Sequence, residues 1–123
     1  HDALPIYNFA TINTIMDSDN PKKVIITEEN GEGGNLGEIT VEKNKKGVGG
    51  FLRNLFVGEE HRGRGVGSRL LDRAIEQAGG TVSLEVEESN HVAVNLYLKK
   101  GFKVIERVSA KNGKVYLRMR RDQ

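Results

Sequence analysis

Short apolar runs, separated by glycine-rich or polar turns, occupy the first half of the chain. The β-branched run Val24–Thr27 and the shorter run Ile39–Val41 enclose four glycines within positions 31–37, which predicts two strands joined by a flexible hairpin loop. After a polar turn, Phe51–Val57 is apolar on both sides. A strand without alternation is typical of the middle of a sheet that is covered on both faces.

After Gly65 the hydrophobic period becomes that of an amphipathic helix. Six apolar residues fall on one helical face, opposite arginine and acidic residues. They are Val66, Leu70, Leu71, Ala74, Ile75 and Ala78. Gly79-Gly80 is expected to end this helix, and a second helix is expected to begin at a capping Asn90 and to end at Gly101.

Three further strands complete the predicted order. Thr81–Glu87 alternates between apolar and polar residues, and Phe102–Val108 and Lys114–Arg120 flank the hairpin signal Asn112-Gly113. Because a helix separates Phe51–Val57 from Thr81–Glu87, these two strands are expected to be parallel. The pattern predicts an α/β (mixed α+β) fold, with a mixed, mostly antiparallel sheet, a parallel central strand pair and flanking helices.

The first twenty residues favour a helix over a strand. Four apolar residues share one helical face, and Pro5 suits a first turn. These four are Ile6, Phe9, Ala10 and Met16. His1 stands where a Met would be expected, and we interpret it as the remnant of a purification tag. Residues 1–123 are expected to form one domain, in which residues 1–20 are atypical or truncated.

Composition narrows the class of protein. No apolar run exceeds three residues, whereas a membrane span needs about twenty and a secretory signal about seven. We therefore expect a cytoplasmic protein with no membrane partner. A net charge of +2 is too small to predict nucleic-acid binding. Cysteine is absent and no metal-binding pattern occurs, so neither a thiol nucleophile nor a metal site is expected.

The segment from Leu55 to Ser68 carries the strongest functional signal. It runs from a strand into a helix, and its glycines allow close approach of a ligand to the backbone. The free N–H groups of the first helical turn and the charges of Arg62 and Arg64 favour a pyrophosphate. The segment lacks the last glycine that a dinucleotide-binding motif requires. It also lacks the lysine that a P-loop requires. The alternative is a glycine-rich turn with exposed arginines.

Two motifs together resemble the GNAT superfamily of N-acetyltransferases. The acetyl-CoA signature of that family, Arg/Gln-x-x-Gly-x-Gly/Ala, is matched by Arg62, Gly65 and Gly67. A second family segment, Leu84–Phe102, matches at Asn90, Ala93, Leu96-Tyr97 and Gly101-Phe102. The resemblance covers roughly residues 22–121. The pattern Leu-Glu-Val-x-x-x-Asn at Leu84–Asn90 is similar to bacterial N-terminal protein acetyltransferases.

The resemblance implies an enzyme that transfers an acetyl group from acetyl-CoA to a primary amine by direct attack on the thioester. Phe56 and Val57 would pair with the pantetheine through backbone groups, and Asn90 and Tyr97 would contact the cofactor. Seven consecutive residues would cradle the pyrophosphate: Arg62, Gly63, Arg64, Gly65, Val66, Gly67 and Ser68. The acceptor would be a small-molecule or protein amine. The sequence does not decide whether the protein forms a homodimer.

Two residues are candidates for proton transfer. Tyr97 matches the family position that protonates the leaving thiolate, and its alternative role is packing beside Ala93 and Leu96. Glu85 matches a glutamate that serves as general base in the N-terminal protein acetyltransferases, and its alternative role is a solvated strand residue.

The chain departs from the family pattern near its beginning. Relatives place a strand and two helices before the second strand, and those helices form one wall of the acceptor site. Here about twenty residues precede Val24, so a partner chain could complete the sheet or the pocket. The competing hypothesis is a non-catalytic acyl-CoA sensor or interaction module of the same fold. The presence of both Glu85 and Tyr97 favours the enzyme.

Overall fold

Seven strands of one sheet and two α-helices make up the computed structural model, which describes residues 11–122. The strands are β1 (Thr11–Asp17), β2 (Asn20–Glu29), β3 (Asn35–Lys43), β4 (Gly50–Val57), β5 (Val82–Glu87), β6 (Lys103–Ser109) and β7 (Val115–Arg121). The helices are α1 (Val66–Ala78), α2 (His91–Lys99) and a short 3₁₀ helix at Glu59–His61.

The sheet is mixed, as the sequence pattern predicts. Its strand order is β1-β2-β3-β4-β5-β7-β6. Neighbouring strands are antiparallel except for β4 and β5, which are parallel and central. The α1 crossover between these two strands is the element that makes the parallel pairing possible.

The prediction of a helix in the first twenty residues is wrong for the part of that segment that the structure describes. Thr11–Asp17 is a strand that pairs antiparallel with β2, from Thr11 opposite Glu29 to Met16 opposite Val24. Its β-branched residues favour an extended backbone, and pairing with β2 satisfies the backbone groups on the side of β1 that faces β2. The turn is tight, because the Asp19 N–H donates to the Asp17 carboxylate at 2.8 Å. Pro5, Ile6, Phe9 and Ala10 lie outside the described residues.

The two helices begin and end where the sequence predicts. Gly65 and Gly79 flank α1 in left-handed conformations, with φ of 82° and 71°. The Asn90 side chain caps α2 by accepting a hydrogen bond from the Ala93 N–H at 3.2 Å. The predicted apolar face of α1 is confirmed: Val66, Leu70, Leu71, Ala74 and Ala78 are buried and Ile75 is partly buried.

Both helices pack on the same face of the sheet. An ion pair of 2.9 Å joins Asp72 of α1 to Lys100 at the end of α2. Within residues 11–122, the opposite face carries no α-helix and is lined by paired charges. The pairs on that face include Arg53–Glu42, Arg118–Glu85 and Arg118–Glu106.

We predict that the crossing of two loops at Gly49 stabilises the fold. Gly49 has φ of +78°, and a Cβ there would lie 2.6 Å from the Thr81 carbonyl oxygen. Its N–H donates to the Ala78 carbonyl at 2.7 Å. Gly49→Ala should therefore lower the free energy of unfolding by about 1–3 kcal/mol beyond the cost of the left-handed backbone alone.

Gly47 provides the matched control. Its φ is +76°, but a Cβ there would meet nothing within 4 Å. Gly47→Ala should cost only the left-handed conformation, about 1–2 kcal/mol. Urea denaturation of both variants measures the difference, and equal losses would show that the close approach at Gly49 contributes nothing.

Candidate active site

A cleft opens where β4 and β5 separate. Only three residue pairs join these strands, the last being Leu52 opposite Leu84. Toward its C-terminal end, β4 holds one residue more than β3 between consecutive pairs, because Glu38 lies opposite Phe56 and Thr40 opposite Arg53. This β-bulge bends β4 away from β5.

Asn54 lies within the bulge and has φ of 57°. Asparagine tolerates this left-handed conformation better than most residues with a side chain. A strained backbone residue beside a cleft is typical of functional sites. The sequence pattern predicts the strand but contains no glycine that would reveal the bulge.

The cleft brings together three of the predicted site residues. It has a volume of about 260 Å³, and Glu85, Asn90 and Tyr97 are on its lining. Arg53, Asn54 and Leu55 also line it, and the sequence pattern gave them no role in the site. Glu85 comes from β5 and Tyr97 from α2, so the fold places the two candidate proton-transfer residues around the same space.

Tyr97 is buried, and its ring packs against Phe102 with centroids 5.8 Å apart and planes at 59°. Burial raises the pKa of the Tyr97 hydroxyl, so the group stays protonated at neutral pH. Across residues 11–122, no side chain or backbone group forms a hydrogen bond with this hydroxyl. A protonated donor on the lining of a cleft has the form required of a general acid.

Glu85 points to the face of the sheet that the helices do not cover. Its carboxylate accepts a hydrogen bond from Arg118 Nε at 3.0 Å, and Arg118 also donates to Glu106 at 2.9 Å. The Glu85 side chain is 44% exposed, so water can reach it. Arg118 therefore fixes the Glu85 carboxylate at the mouth of the cleft without enclosing it.

Arg53 is on the same face, beside the bulge. Its guanidinium lies 4.5 Å from the centre of the Phe51 ring and forms a 2.8 Å ion pair with Glu42. These contacts hold a cation at the edge of the cleft. The sequence gives one weak signal for it, since Arg53 and Asn54 together interrupt the apolar residues of β4.

The glycine-rich loop leads from β4 into α1. Gly63 and Gly65 have φ of 77° and 82°, conformations that other residues rarely adopt. Gly67 is helical, and a Cβ there would lie 3.5 Å from Val57 and 3.6 Å from Leu96, which is ordinary contact. The first two glycines are therefore required by the loop itself, whereas the fold alone does not require the third.

The remaining predicted loop residues differ in the groups that they could present to a ligand. The Arg62 Nε donates to the Val57 carbonyl at 3.2 Å, a contact that closes the loop onto the end of β4 and adds a structural part to the charge expected of Arg62. Arg64 is exposed, and Ser68 is partly exposed in the first turn of α1. Val66 is buried, so it can offer a ligand only its backbone N–H.

Phe56 and Val57 present different sides of β4. A Cβ on Gly37 would lie 2.6 Å from the Phe56 carbonyl oxygen, so this oxygen points toward β3. Backbone groups of successive residues in a strand point to opposite sides. Val57 thus presents its backbone toward the cleft side, where Arg62 already contacts its carbonyl oxygen. Pairing of these two residues with a pantetheine remains a prediction, and Val57 is the better placed.

Two charged residues that the sequence pattern did not single out support this loop. Arg69 of α1 forms a two-bond ion pair with Glu28 of β2, at 2.7 and 2.8 Å. Glu28 is 1% exposed. The sequence contains a signal for Glu28, because a charged residue there follows Val24 and Ile26 in the alternating positions of β2 that face the core.

Two further findings concern residues 11–122 only. There, no group of three or more histidine, aspartate or glutamate side chains is arranged to hold a metal ion. Neither helix in that range combines the length and the apolar composition needed to cross a membrane.

Comparison with protein families gives a direct match. The model of the acetyltransferase (GNAT) family matches residues 2–102. The chain therefore belongs to the GNAT family of acetyltransferases.

Relatives and solved structures agree with this family. The chain is 38% identical over 60 residues to the peptidyl-lysine N-acetyltransferase YjaB of Salmonella typhimurium, an alignment that covers 49% of this chain and 41% of that protein. The alignments cover less than half the length of either curated relative matched.

Solved structures resemble this fold closely although their sequences are only distantly similar to this chain. Spermidine/spermine N-acetyltransferase SpeG from Vibrio cholerae superposes with a TM-score of 0.76 at 16% identity, covering 94% of each chain. A Bacillus anthracis acetyltransferase solved with acetyl coenzyme A gives a TM-score of 0.76 at 20% identity, covering 86% of this chain and 65% of that one. At these identities the likeness shows a shared fold.

Proposed function

We propose that this protein is an acetyl-CoA-dependent N-acetyltransferase whose acceptor is a primary amine. The observation that carries the proposal is the cleft between β4 and β5, on whose lining Glu85, Asn90 and Tyr97 meet. The glycine-rich entry to α1 follows directly from the end of β4. Membership of the acetyltransferase family supports the same reaction.

The residues present fit acetyl-CoA. The first turn of α1 offers free N–H groups and the positive end of a helix dipole, which suits a pyrophosphate. The missing side chain at Gly67 leaves space between Val57 and Leu96, next to the end of β4. When bound, acetyl-CoA supplies the activated acetyl group as a thioester.

Two groups of the chain would then move protons. Glu85 is held by Arg118 at the mouth of the cleft, where it takes a proton from the attacking amine. Tyr97 keeps its own proton at neutral pH because burial raises its pKa, and it gives that proton to the departing thiolate.

The acceptor approaches from the face of the sheet that carries Glu85. A primary amine is protonated in neutral water, and the Glu85 carboxylate, whose side chain is 44% exposed, is accessible to it at the mouth of the cleft. The names of the relatives refer to lysine side chains and to spermidine, both of which carry primary amines. One sheet and one core connect β1 to β7, which supports the proposal that a single domain carries the activity.

The direct test offers acetyl-CoA with a panel of amines and follows the release of free thiol. The panel contains a peptide N-terminus, a lysine-containing peptide, a free amino acid, a polyamine and an aminoglycoside. Amine-dependent thiol release with at least one of them supports the enzyme. Tight acetyl-CoA binding without thiol release for any amine would instead support the acyl-CoA sensor.

Glu85→Gln tests the proposed base. The rate at neutral pH should fall by roughly 10²–10⁴, because the variant cannot accept the proton of the amine. Activity should recover as the pH approaches about 10.4, where a lysine-type amine loses its proton without help. The pH–rate profile on the best amine of the panel measures this.

Glu106→Gln is the matched control for the proposed base. Glu106 shares the partner Arg118 but does not line the cleft. Its loss should leave the pH–rate profile close to that of wild type. Equal profiles for both glutamate variants would remove Glu85 from the chemistry.

A further inference from the structure

Glu28 is a carboxylate buried beneath a helix where an apolar residue would be expected. It follows Val24 and Ile26 on the core face of β2, and both of those are fully buried. A buried charge requires partners, and Arg69 supplies them through a two-bond contact with both carboxylate oxygens. Only the Glu28 end of this pair is buried, since the Arg69 side chain is 42% exposed, and removing a carboxylate from water costs free energy that the pairing must offset. Stability alone therefore does not explain this pair.

The same guanidinium makes a third contact, to the glycine-rich loop. Arg69 Nη1 donates to the Arg64 carbonyl oxygen at 3.2 Å, while Nε and Nη2 are held by Glu28. The planar Arg69 guanidinium thus connects Glu28 of β2 to the backbone of the loop. A lysine at this position could not provide donors in that fixed geometry.

The third contact sets the direction of a peptide group. In a trans peptide the carbonyl and the following N–H point in opposite directions. Holding the Arg64 carbonyl against Arg69 therefore turns the Gly65 N–H away from Arg69, toward the outer side of the loop. There it joins the free N–H groups of the first turn of α1, which begins at Val66.

Gly65 is matched to this arrangement. A Cβ at Gly65 would lie 2.9 Å from Arg69 Nη1, so a side chain there would displace the guanidinium from the Arg64 carbonyl. The loop glycine, the arginine and the buried carboxylate are therefore one coupled set, although Glu28 and Arg69 are separated by 41 positions in the chain.

We propose that Glu28 and Arg69 are positioning residues that hold the loop in the conformation that binds the pyrophosphate of acetyl-CoA. This inference rests on the proposed function, because it assigns the loop to that cofactor. Neither side chain contacts the ligand in this scheme. Arg69 orients backbone donors, and Glu28 fixes Arg69.

The test compares ligands that do and do not contain the pyrophosphate. Coenzyme A is titrated by calorimetry and S-acetylpantetheine, which lacks the nucleotide, by NMR. Arg69→Lys keeps a positive charge beside Glu28 but loses the three-point contact. The double variant Glu28→Leu/Arg69→Leu removes both charges, so no unpaired charge is buried. Both should weaken coenzyme A binding tenfold or more, and both should bind S-acetylpantetheine within twofold of wild type.

Asp72→Ala/Lys100→Ala is the matched control. It removes an ion pair of similar length that joins the middle of α1 to the end of α2 and involves neither Glu28 nor Arg69. Its affinity for coenzyme A should equal that of wild type. A ligand-free measurement accompanies the titrations: the amide of residue 69, which donates to the Gly65 carbonyl at 3.0 Å, should exchange its hydrogen faster in the double variant.

Three results would overturn the inference, and they are distinguishable. Unchanged coenzyme A affinity in folded variants would show that the pair does not position the loop. An equal loss for both ligands would indicate general damage to the cleft. Failure of the wild-type protein to bind coenzyme A would overturn the proposed function, and this inference with it, before any variant is compared.

Discussion

Gly67→Val is expected to weaken acetyl-CoA binding about ten- to a hundredfold, whereas Gly67→Ala should bind it as tightly as wild type. A Cβ at Gly67 meets Val57 and Leu96 at 3.5 and 3.6 Å, distances that the protein accommodates, and the family signature admits alanine at this position. The two further methyl groups of valine extend beyond the Cβ into the space that we assign to the cofactor. Overpacking of this kind costs about 1–3 kcal/mol, at about 1.4 kcal/mol per tenfold change in affinity.

Gly67→Ala is the matched control, and calorimetry with acetyl-CoA gives the affinity of both variants. Urea denaturation gives the stability, which alanine should raise, because alanine is favoured over glycine in a helix by about 0.5–1 kcal/mol. If Gly67→Val folds and binds acetyl-CoA as tightly as wild type, the cofactor does not pass between Gly67, Val57 and Leu96.

Gly65 would be a poorer choice for this test. Its φ of 82° strains any other residue, and its Cβ would collide with Arg69. A loss of binding in Gly65→Val would therefore mix the cost of a distorted loop with the cost of an obstructed ligand. The family signature admits alanine at the position of Gly67 but not at that of Gly65, and the backbone and contacts of the two glycines give a physical reason for this difference.

Local signals account for what the sequence predicts correctly. The course of α1 follows from a helical period that is closed by glycines at both ends, and the cap of α2 follows from Asn90. Parallel pairing of β4 with β5 follows from the helix between them. Each of these predictions uses residues within about one element of each other.

Features that depend on distant pairing were not predictable in the same way. Thr11–Asp17 became a strand because β2 offers a free edge, which no pattern within that segment reveals. The bulge at Asn54 depends on the register between β3 and β4. In the sequence Arg69 is one of several polar residues on α1, and only the folded structure shows that it contacts Glu28. The sequence therefore identifies the loop and the candidate proton-transfer residues, but not the bulge at Asn54 or the support of the loop.

Tyr97→Phe is expected to lower turnover by roughly 10²–10⁴, the usual contribution of a positioned general acid. The substitution removes one hydroxyl and keeps the ring that packs on Phe102 at 5.8 Å. Within residues 11–122 that hydroxyl has no hydrogen-bond partner, so its loss should leave the unfolding midpoint nearly unchanged. Affinity for acetyl-CoA should also stay constant, because the proton is needed only as the carbon–sulfur bond breaks.

Tyr116→Phe is the matched control, since Tyr116 of β7 lies outside the lining of the cleft and should tolerate the change without loss of rate.

The pH dependence of turnover gives a second, independent check on Tyr97. Because burial raises the pKa of Tyr97 above its ordinary value of about 10, the acid form should persist through the alkaline range in which the amine becomes deprotonated. Wild-type turnover should therefore rise with pH and then level off, with no decline below about pH 10 from this residue. In Tyr97→Phe the same rise should occur at a much lower rate, since the amine is unaffected and only the donor is missing. Equal turnover in wild type and Tyr97→Phe would contradict the role, because a buried tyrosine that neither binds nor reacts contributes only its ring. Water in the cleft would then be the proton donor.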